Sequence, residues 1–264
     1  MGKNKLRKFA EMETFHNVFQ CGAREALADS PVIAMAGHWH DRYFHNANPI
    51  VLELGCGRGE YTVGLAEAFP DKNYIGIDIK GARMWAGAKQ AELSDMHNVA
   101  FLRTNIEMLT AFFAPDEVAE IWITFPDPQM KKATKRLTSS YFMQRYARLL
   151  CPNGMIHLKT DSPFLYTYTC AMVEENHYPV LAQTNDLYHA TPADGTAVSL
   201  QAATMLQTHY EHQWIDRGLT IKYICWQLPP QPSFIEPQVE IEKDTYRSYG
   251  RNYTSPSNTN PSTR

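Results

Sequence analysis

The chain has no pair of cysteines at metal or redox spacing. Its five, Cys21, Cys56, Cys151, Cys170 and Cys225, are odd in number and widely separated, which argues against a disulfide framework or a zinc site and for a reducing compartment, the cytoplasm. No apolar run approaches the eighteen or so residues of a membrane span, and the basic N-terminus lacks the apolar stretch of a signal peptide. A soluble, unexported chain with no membrane partner is expected. Positive charge is not in excess either: 25 Lys and Arg against 28 Asp and Glu give a formal net charge of −3. A nucleic-acid partner would therefore be held by a local patch, not by a global field. With no internal repeat, 264 residues suffice for one large α/β domain with appendages.

Residues 1–48 carry no strong period. They begin with Lys3, Lys5, Arg7 and Lys8, pass through His38, Trp39, His40, Tyr43 and His45, and read as an N-terminal arm and cap. The three histidines read as surface or packed residues, with no metal expected. Trp39 and Tyr43 could stack on a base, but in an amphipathic cap they read as core. From 49 to 228 the pattern is strand, turn, helix, repeated. Strands are expected over 50–54, 74–78, 99–103, 120–125, 155–160, 178–183 and 220–227, and helices over 60–69, 82–96, 139–150, 164–175 and 199–216. Alternation of this kind means an α/β fold with a mostly parallel, doubly wound sheet, here with an antiparallel closing strand. Residues 229–264 form a C-terminal extension rich in Pro, Ser, Thr and Asn with little to bury, its last fifteen or so residues expected to be disordered.

Two segments carry chemistry. Val51-Leu-Glu-Leu-Gly-Cys-Gly-Arg-Gly-Glu60 runs an apolar strand into a Gly-x-Gly-x-Gly turn at the start of a helix. Gly55 and Gly57 allow the backbone to turn tightly and approach a ligand. A dinucleotide fingerprint would be Gly-x-Gly-x-x-Gly with a pyrophosphate on the helix dipole. Glu53 would repel a phosphate and attract an ammonium, and S-adenosyl-L-methionine has an ammonium and no phosphate. Asp78 ends the next strand about twenty residues past the glycines, where a carboxylate can accept from both ribose hydroxyls. The second segment, Ile123-Thr-Phe-Pro-Asp-Pro-Gln-Met-Lys-Lys-Ala-Thr-Lys-Arg136, lies at the carboxyl end of the fourth strand, where such sheets open their ligand crevice. Prolines on both sides fix Asp127, and both Phe125 and Asp127 are expected to be extended. Lys131, Lys132, Lys135 and Arg136 make a compact basic loop beside it.

At these residues the chain resembles the bacterial tRNA (guanine-N7)-methyltransferases, a Rossmann-like class I S-adenosylmethionine-dependent family with a Phe-Pro-Asp-Pro-Trp-x-Lys motif in this place. The resemblance runs from about Val51 to Ile224, with Gln129 where the family has Trp. It implies methyl transfer to N7 of guanine 46 in the tRNA variable loop. Glu53, Asp78 and Asn105 fall where the family binds the cofactor, Asn105 near the adenine. Asp127 matches the family's active-site acid and is counted with the cofactor set as well. Lys131 matches a substrate-contacting lysine, Lys159-Thr-Asp161 the family's Thr-Asp element, and Thr208-His-Tyr210-Glu211 its Thr-x-Tyr-Glu element. Lys132, Lys135, Arg136 and the N-terminal cluster would contact the RNA backbone.

Guanine N7 has an in-plane lone pair and no proton, so Asp127 is expected to position the base and not to abstract a proton. With Asp161 it would accept from the N1–H and the exocyclic amine. Taken alone, Asp161 could instead cap the helix beginning at Pro163, and Glu211 could be a solvated helix residue. Monomer and homodimer both stay open. So do a methyltransferase of another RNA or a small molecule, and a non-catalytic RNA-binding scaffold.

Overall fold

A computed structural model describes residues 2–21, 32–190 and 197–245, the side chains at 3, 197–199, 209 and 210 excepted. Its centre is an eight-stranded sheet in the order β1-β4-β3-β2-β5-β6-β8-β7. The strands are β1 (Val18–Gln20), β2 (Ile50–Leu54), β3 (Asn73–Asp78), β4 (Val99–Arg103), β5 (Val118–Thr124), β6 (Leu150–Thr160), β7 (Val180–Thr184) and β8 (Lys222–Gln227). The first six are mutually parallel, and β8 runs antiparallel to both β6 and β7. β2 is buried along its whole length, which is why Ile-Val-Leu-Glu-Leu reads as a nearly continuous apolar run. Two apolar clusters, one on each face, lie between the sheet and its helices. Among the described residues no helix is long and apolar enough to cross a membrane.

The helices that position the site are α2 (Glu60–Ala68) and α3 (Gly81–Leu93) on one face, with α4 (Ser140–Tyr146) and α5 (Pro163–Glu175) on the other. α5 starts as its sequence dictates, with Pro163 in its first turn, but the cap is Ser162, whose hydroxyl accepts from Leu165 N at 2.9 Å. The cap reading of Asp161 is therefore corrected.

Four other expectations are revised. The N-terminal segment contributes α1 (Gly2–Met12), which packs on α3, and β1, which extends the sheet beside β4. Three residues of strand give no periodic signal. Trp39 is fully buried, stacked on Phe113, with its indole N–H donating to Phe112 O at 2.9 Å.

The single helix expected over 199–216 is two, α6 (Ala197–Met205) and α7 (His209–Ile215). A helix cannot run through the junction, because Ala203 O and Leu206 O accept from the buried Lys159 ammonium at 2.7 and 3.0 Å, and Thr208 begins a new helix with a capping box. Phe125, expected extended, has φ +47, a conformation costly for an aromatic residue ahead of a proline. Finally, residues 229–245 do have something to bury. Phe234 and Ile241 pack on the core and Pro237 is buried. The residues expected to be disordered lie outside the described ones.

Candidate active site

Asn105 follows β4, Asp78 ends β3, Glu53 lies near the end of β2, Asp127 follows β5 and Asp161 follows β6. In the sheet these are five adjacent strands, so five residues scattered between positions 53 and 161 of the sequence fall in one row along the carboxyl edge, where open α/β sheets bind ligands.

The Gly-rich turn forms the floor. Gly55, Gly57 and Gly59 have φ of +77, +57 and +75, which only glycine adopts cheaply. At Gly59 a side chain would also strike Phe101, with a Cβ only 2.7 Å from its ring. At Gly55 nothing lies within 4 Å of a Cβ, and at Gly57 the nearest atom is 3.9 Å away, so there the turn faces open space. That space is a cavity of about 120 Å³ walled by Glu53, Gly55, Gly57, Arg83, Thr124 and Thr208, among others.

Glu53 is 4% exposed and is held rigidly. Thr62 donates to it through its N–H at 2.8 Å and its hydroxyl, and Thr124 Oγ1 donates at 2.8 Å. Burial pushes its pKa up to about 7, against the lowering effect of these hydrogen bonds; a carboxyl at that value is ready to ionise against an incoming cation. Asp78 accepts from Gly57 N at 3.0 Å and Lys80 N at 2.7 Å, so it braces the turn that Glu53 precedes.

Asn105 Oδ1 caps the short 3₁₀ helix Ile106–Ala111, accepting from Glu107 N at 3.3 Å. Buried carboxylate, bracing carboxylate and open glycine turn fit the ammonium and ribose of S-adenosylmethionine. Arg58 and Arg83 also line the cavity, and a guanidinium there suits the carboxylate of a methionine moiety. The sequence reading missed both, although Arg58 stands inside the glycine motif itself.

On the other side of the crevice, Asp127 is exposed and accepts from Gln129 N at 3.0 Å. Phe125 and Gln129, on either side of the Pro-Asp-Pro unit, both have φ +47. The carboxylate is thus presented on a strained, proline-stiffened turn. Lys131 and Lys132 are exposed. Lys135 is paired with Glu107 at 2.5 Å, a contact that raises its pKa. Arg136 does not serve as expected. It is 8% exposed, its guanidinium lies 4.8 Å from the Phe164 ring and 4.3 Å from the Tyr168 ring, and it donates to Met130 O. It clamps the loop onto α5 and presents no free fork to a phosphate.

Asp161 and Glu211 are both fully buried. Asp161 acts electrostatically on Lys222 together with Asp244 and Asp186, so in this conformation it is closed to a base. Glu211 is neither solvated nor open to substrate. It pairs with Lys159 at 2.6 Å, accepts from Tyr188 Oη and from Thr208 N, and closes the α7 capping box. Lys159, whose pKa burial pushes down to about 8, also donates to Tyr61 Oη at 2.7 Å. This buried ion pair fixes Thr208 over the cavity. The sequence pattern showed Lys159 only as the neighbour of Thr160 and Asp161. The Tyr210 and Lys3 side chains lie outside the described ones. Lys8 of the N-terminal cluster lies over the Trp85 ring at 4.3 Å. His38 contacts Asp41 and His40 contacts Asn48 O, and among the described residues no group of three or more His, Cys, Asp or Glu is arranged to hold a metal.

A doubly wound sheet with this acid, glycine turn and second acid defines a class I methyltransferase dependent on S-adenosylmethionine. Comparisons with known proteins narrow the class. A family model described as "Putative methyltransferase" matches residues 47–223. The tRNA (guanine-N(7)-)-methyltransferase of Bacteroides fragilis (strain YCH46) is 57% identical over 255 residues, 97% of this chain and 98% of that one. That of Clostridium novyi (strain NT) is 33% identical over 215 residues, 78% and 96% of the two. The crystal structure of the 16S rRNA methyltransferase KamB shares the fold, with a TM-score of 0.54 over 72% of this chain and 92% of that one at 13% identity. The chain belongs to the tRNA (guanine-N7)-methyltransferase family.

Proposed function

We propose that this protein transfers the methyl group of S-adenosylmethionine to N7 of a guanine in tRNA, the variable-loop guanine 46 of the family pattern, and that it works in the cytoplasm as a monomer or homodimer. The observation that carries this reading is the row of polar residues along the carboxyl edge of β4, β3, β2, β5 and β6, with the cofactor-type acids on β2 and β3 and the proline-framed Asp127 next to them after β5.

Bound S-adenosylmethionine supplies a methyl group made electrophilic by its sulfonium. Glu53 would hold the ammonium, Arg58 or Arg83 the carboxylate, Asp78 the ribose hydroxyls and Asn105 the adenine edge. No residue need remove a proton, because guanine N7 would use an in-plane lone pair and would take up the positive charge that the cofactor's sulfonium loses with its methyl. Positioning then sets the rate. Asp127, an acceptor-only carboxylate on a stiff turn, would take the N1–H and exocyclic amine of the guanine and aim N7 at the methyl. Lys131 and Lys132 are exposed cations of this loop and would neutralise phosphates. An extruded loop base suits such a site better than one in a duplex.

The test is transfer of labelled methyl to unmodified tRNA with the product nucleoside identified by mass. N7-methylguanosine that disappears with Asp127→Ala is the expected result. Label in another nucleoside, or none in tRNA while the cofactor binds, would overturn the reading.

A further inference from the structure

The turn that presents Asp127 is strained at both ends. Phe125 and Gln129 have φ +47, and a residue with a side chain stays in the left-handed region only where its surroundings hold it there. At the first end the holder is the sheet. Phe125 N donates to Lys159 O at 2.8 Å, where the β5–β6 ladder continues past Thr124. At the second end it is Arg136, whose guanidinium donates at 3.2 Å to Met130 O, the carbonyl next after Gln129.

Arg136 can hold that carbonyl only if it is itself fixed, and a buried guanidinium needs compensation for the water it has lost. Phe164 and Tyr168 of α5 supply their rings at 4.8 and 4.3 Å. Tyr168 is 2% exposed, and its hydroxyl donates to Glu236. The same carboxylate accepts from Ser140 Oγ at 2.7 Å and from Ser140 N at 3.3 Å, at the start of α4, where backbone N–H groups lack helical partners. α4 begins at Ser140, four residues after Arg136. One carboxylate therefore ties down both the ring against the guanidinium and the helix into which its loop runs.

Glu236 is in turn well placed. Past β8 the chain turns back over α5, where Tyr178 Oη donates to Ser233 O. Asn176 uses both ends of its amide on Ile235, donating to its carbonyl at 2.8 Å and accepting from its N–H at 2.6 Å, as a neighbouring strand would. Pro237, which follows Glu236, is buried, so the backbone that carries the carboxylate is pinned on either side.

We propose that Glu236 is a positioning residue for methyl transfer: through Tyr168, Arg136 and the Met130 carbonyl it holds the strained turn of Asp127 in the shape that aims the guanine. This rests on a tRNA guanine being the substrate and on Asp127 aiming it.

The test is a double-mutant cycle on single-turnover methyl transfer to unmodified tRNA. The unaltered protein, Glu236→Ala, Asp127→Asn and the double variant are compared, with S-adenosylhomocysteine affinity measured by calorimetry for each. Glu236→Ala is expected to slow the transfer step about tenfold while S-adenosylhomocysteine affinity stays unchanged. In Asp127→Asn, whose aim is already lost, the same substitution should slow the step by less than about twofold, because the two residues act through one another. Tyr168→Phe keeps the ring against Arg136 and removes only the hydroxyl that Glu236 accepts; it should slow the step about threefold, and it tests the same route should Glu236→Ala fail to fold. An unchanged rate in Glu236→Ala would overturn the proposal, and an unchanged rate in Tyr168→Phe would overturn the route through Tyr168. So would an equal loss of S-adenosylhomocysteine affinity, or an undiminished effect in the Asp127→Asn background, since a general loosening of the fold acts without Asp127. Failure of the substrate reading would appear separately, as absence of tRNA methylation by the unaltered protein, and failure of the Asp127 reading as an unimpaired Asp127→Asn.

Discussion

The cofactor side and the substrate side of the crevice are held together by different kinds of contact. Around β2 and β3 the bonds are mostly of shorter range: Glu53 to Thr62, Gly57 to Asp78, Asp78 to Lys80, with Thr124 to Glu53 the exception. One strand–turn–helix–strand unit builds most of its own floor. Around β5 and β6 the bonds join distant segments: Lys159 to Glu211, Ser162 to Asp244, Ser140 to Glu236. The first side binds a ligand of fixed shape and needs a fixed cradle. The second must receive a large RNA, and its loops take their shape from elements that arrive later in the chain.

The sharpest way to break this comparison is to cut the ion pair that holds the substrate side together. Lys159→Met leaves Glu211 buried without its partner and is expected to cost about 3–5 kcal/mol in urea unfolding, whereas adding Glu211→Leu should recover most of that loss. Equal stability of the single variant and the parent would mean that the pair holds nothing.

The glycines separate packing from ligand space. Gly59→Ala combines a left-handed backbone with a Cβ 2.7 Å from the Phe101 ring and should lower stability by about 3 kcal/mol. Gly55→Ala meets no neighbour and should cost about 1 kcal/mol of stability, yet weaken S-adenosylhomocysteine binding by more than Gly59→Ala does relative to its stability loss. Thermal unfolding and calorimetry on the pair test this, and a reversed ranking would place the ligand elsewhere.

A further test concerns Glu53. Burial raises its carboxyl pKa to about 7 in the fold, from an ordinary value of 4.5. Between these values the folded state holds a proton that the unfolded state has lost, so the stability from this group is fully present below about 4.5 and falls away as pH rises to about 7. An ammonium ligand favours the ionised form. S-adenosylhomocysteine binding should therefore tighten by up to about tenfold per pH unit as pH approaches 7 and level off above it. Glu53→Gln should bind more weakly with a flat profile. A flat profile in the parent would remove Glu53 from the ammonium site.

The same contrast explains what could be read from the sequence. Glu53, the glycines and Asp78 were legible because strand period, turn chemistry and spacing all act over some thirty residues. The doubly wound sheet and its antiparallel closing strand followed from the alternation of elements. Arg136 misled because a cation in a polar run looks solvated until Phe164 and Tyr168 arrive beneath it. Glu211 looked like a surface or ligand-facing acid because its partner lies 52 positions earlier. β1 was too short to show a period. Residues 229–245 looked like a tail because they are held by scattered residues, Phe234, Glu236, Ile241 and Asp244, with no period to announce them.

The most direct measurement is single-turnover methyl transfer to unmodified tRNA by Asp127→Asn, alongside its affinity for S-adenosylhomocysteine and for tRNA. An amide keeps the size of the carboxylate but turns half of an acceptor into a donor. If Asp127 aims the guanine through its Watson–Crick edge, the rate should fall by about 10²–10³-fold while S-adenosylhomocysteine affinity changes by much less. A rate and tRNA affinity close to those of the unaltered protein would contradict the account.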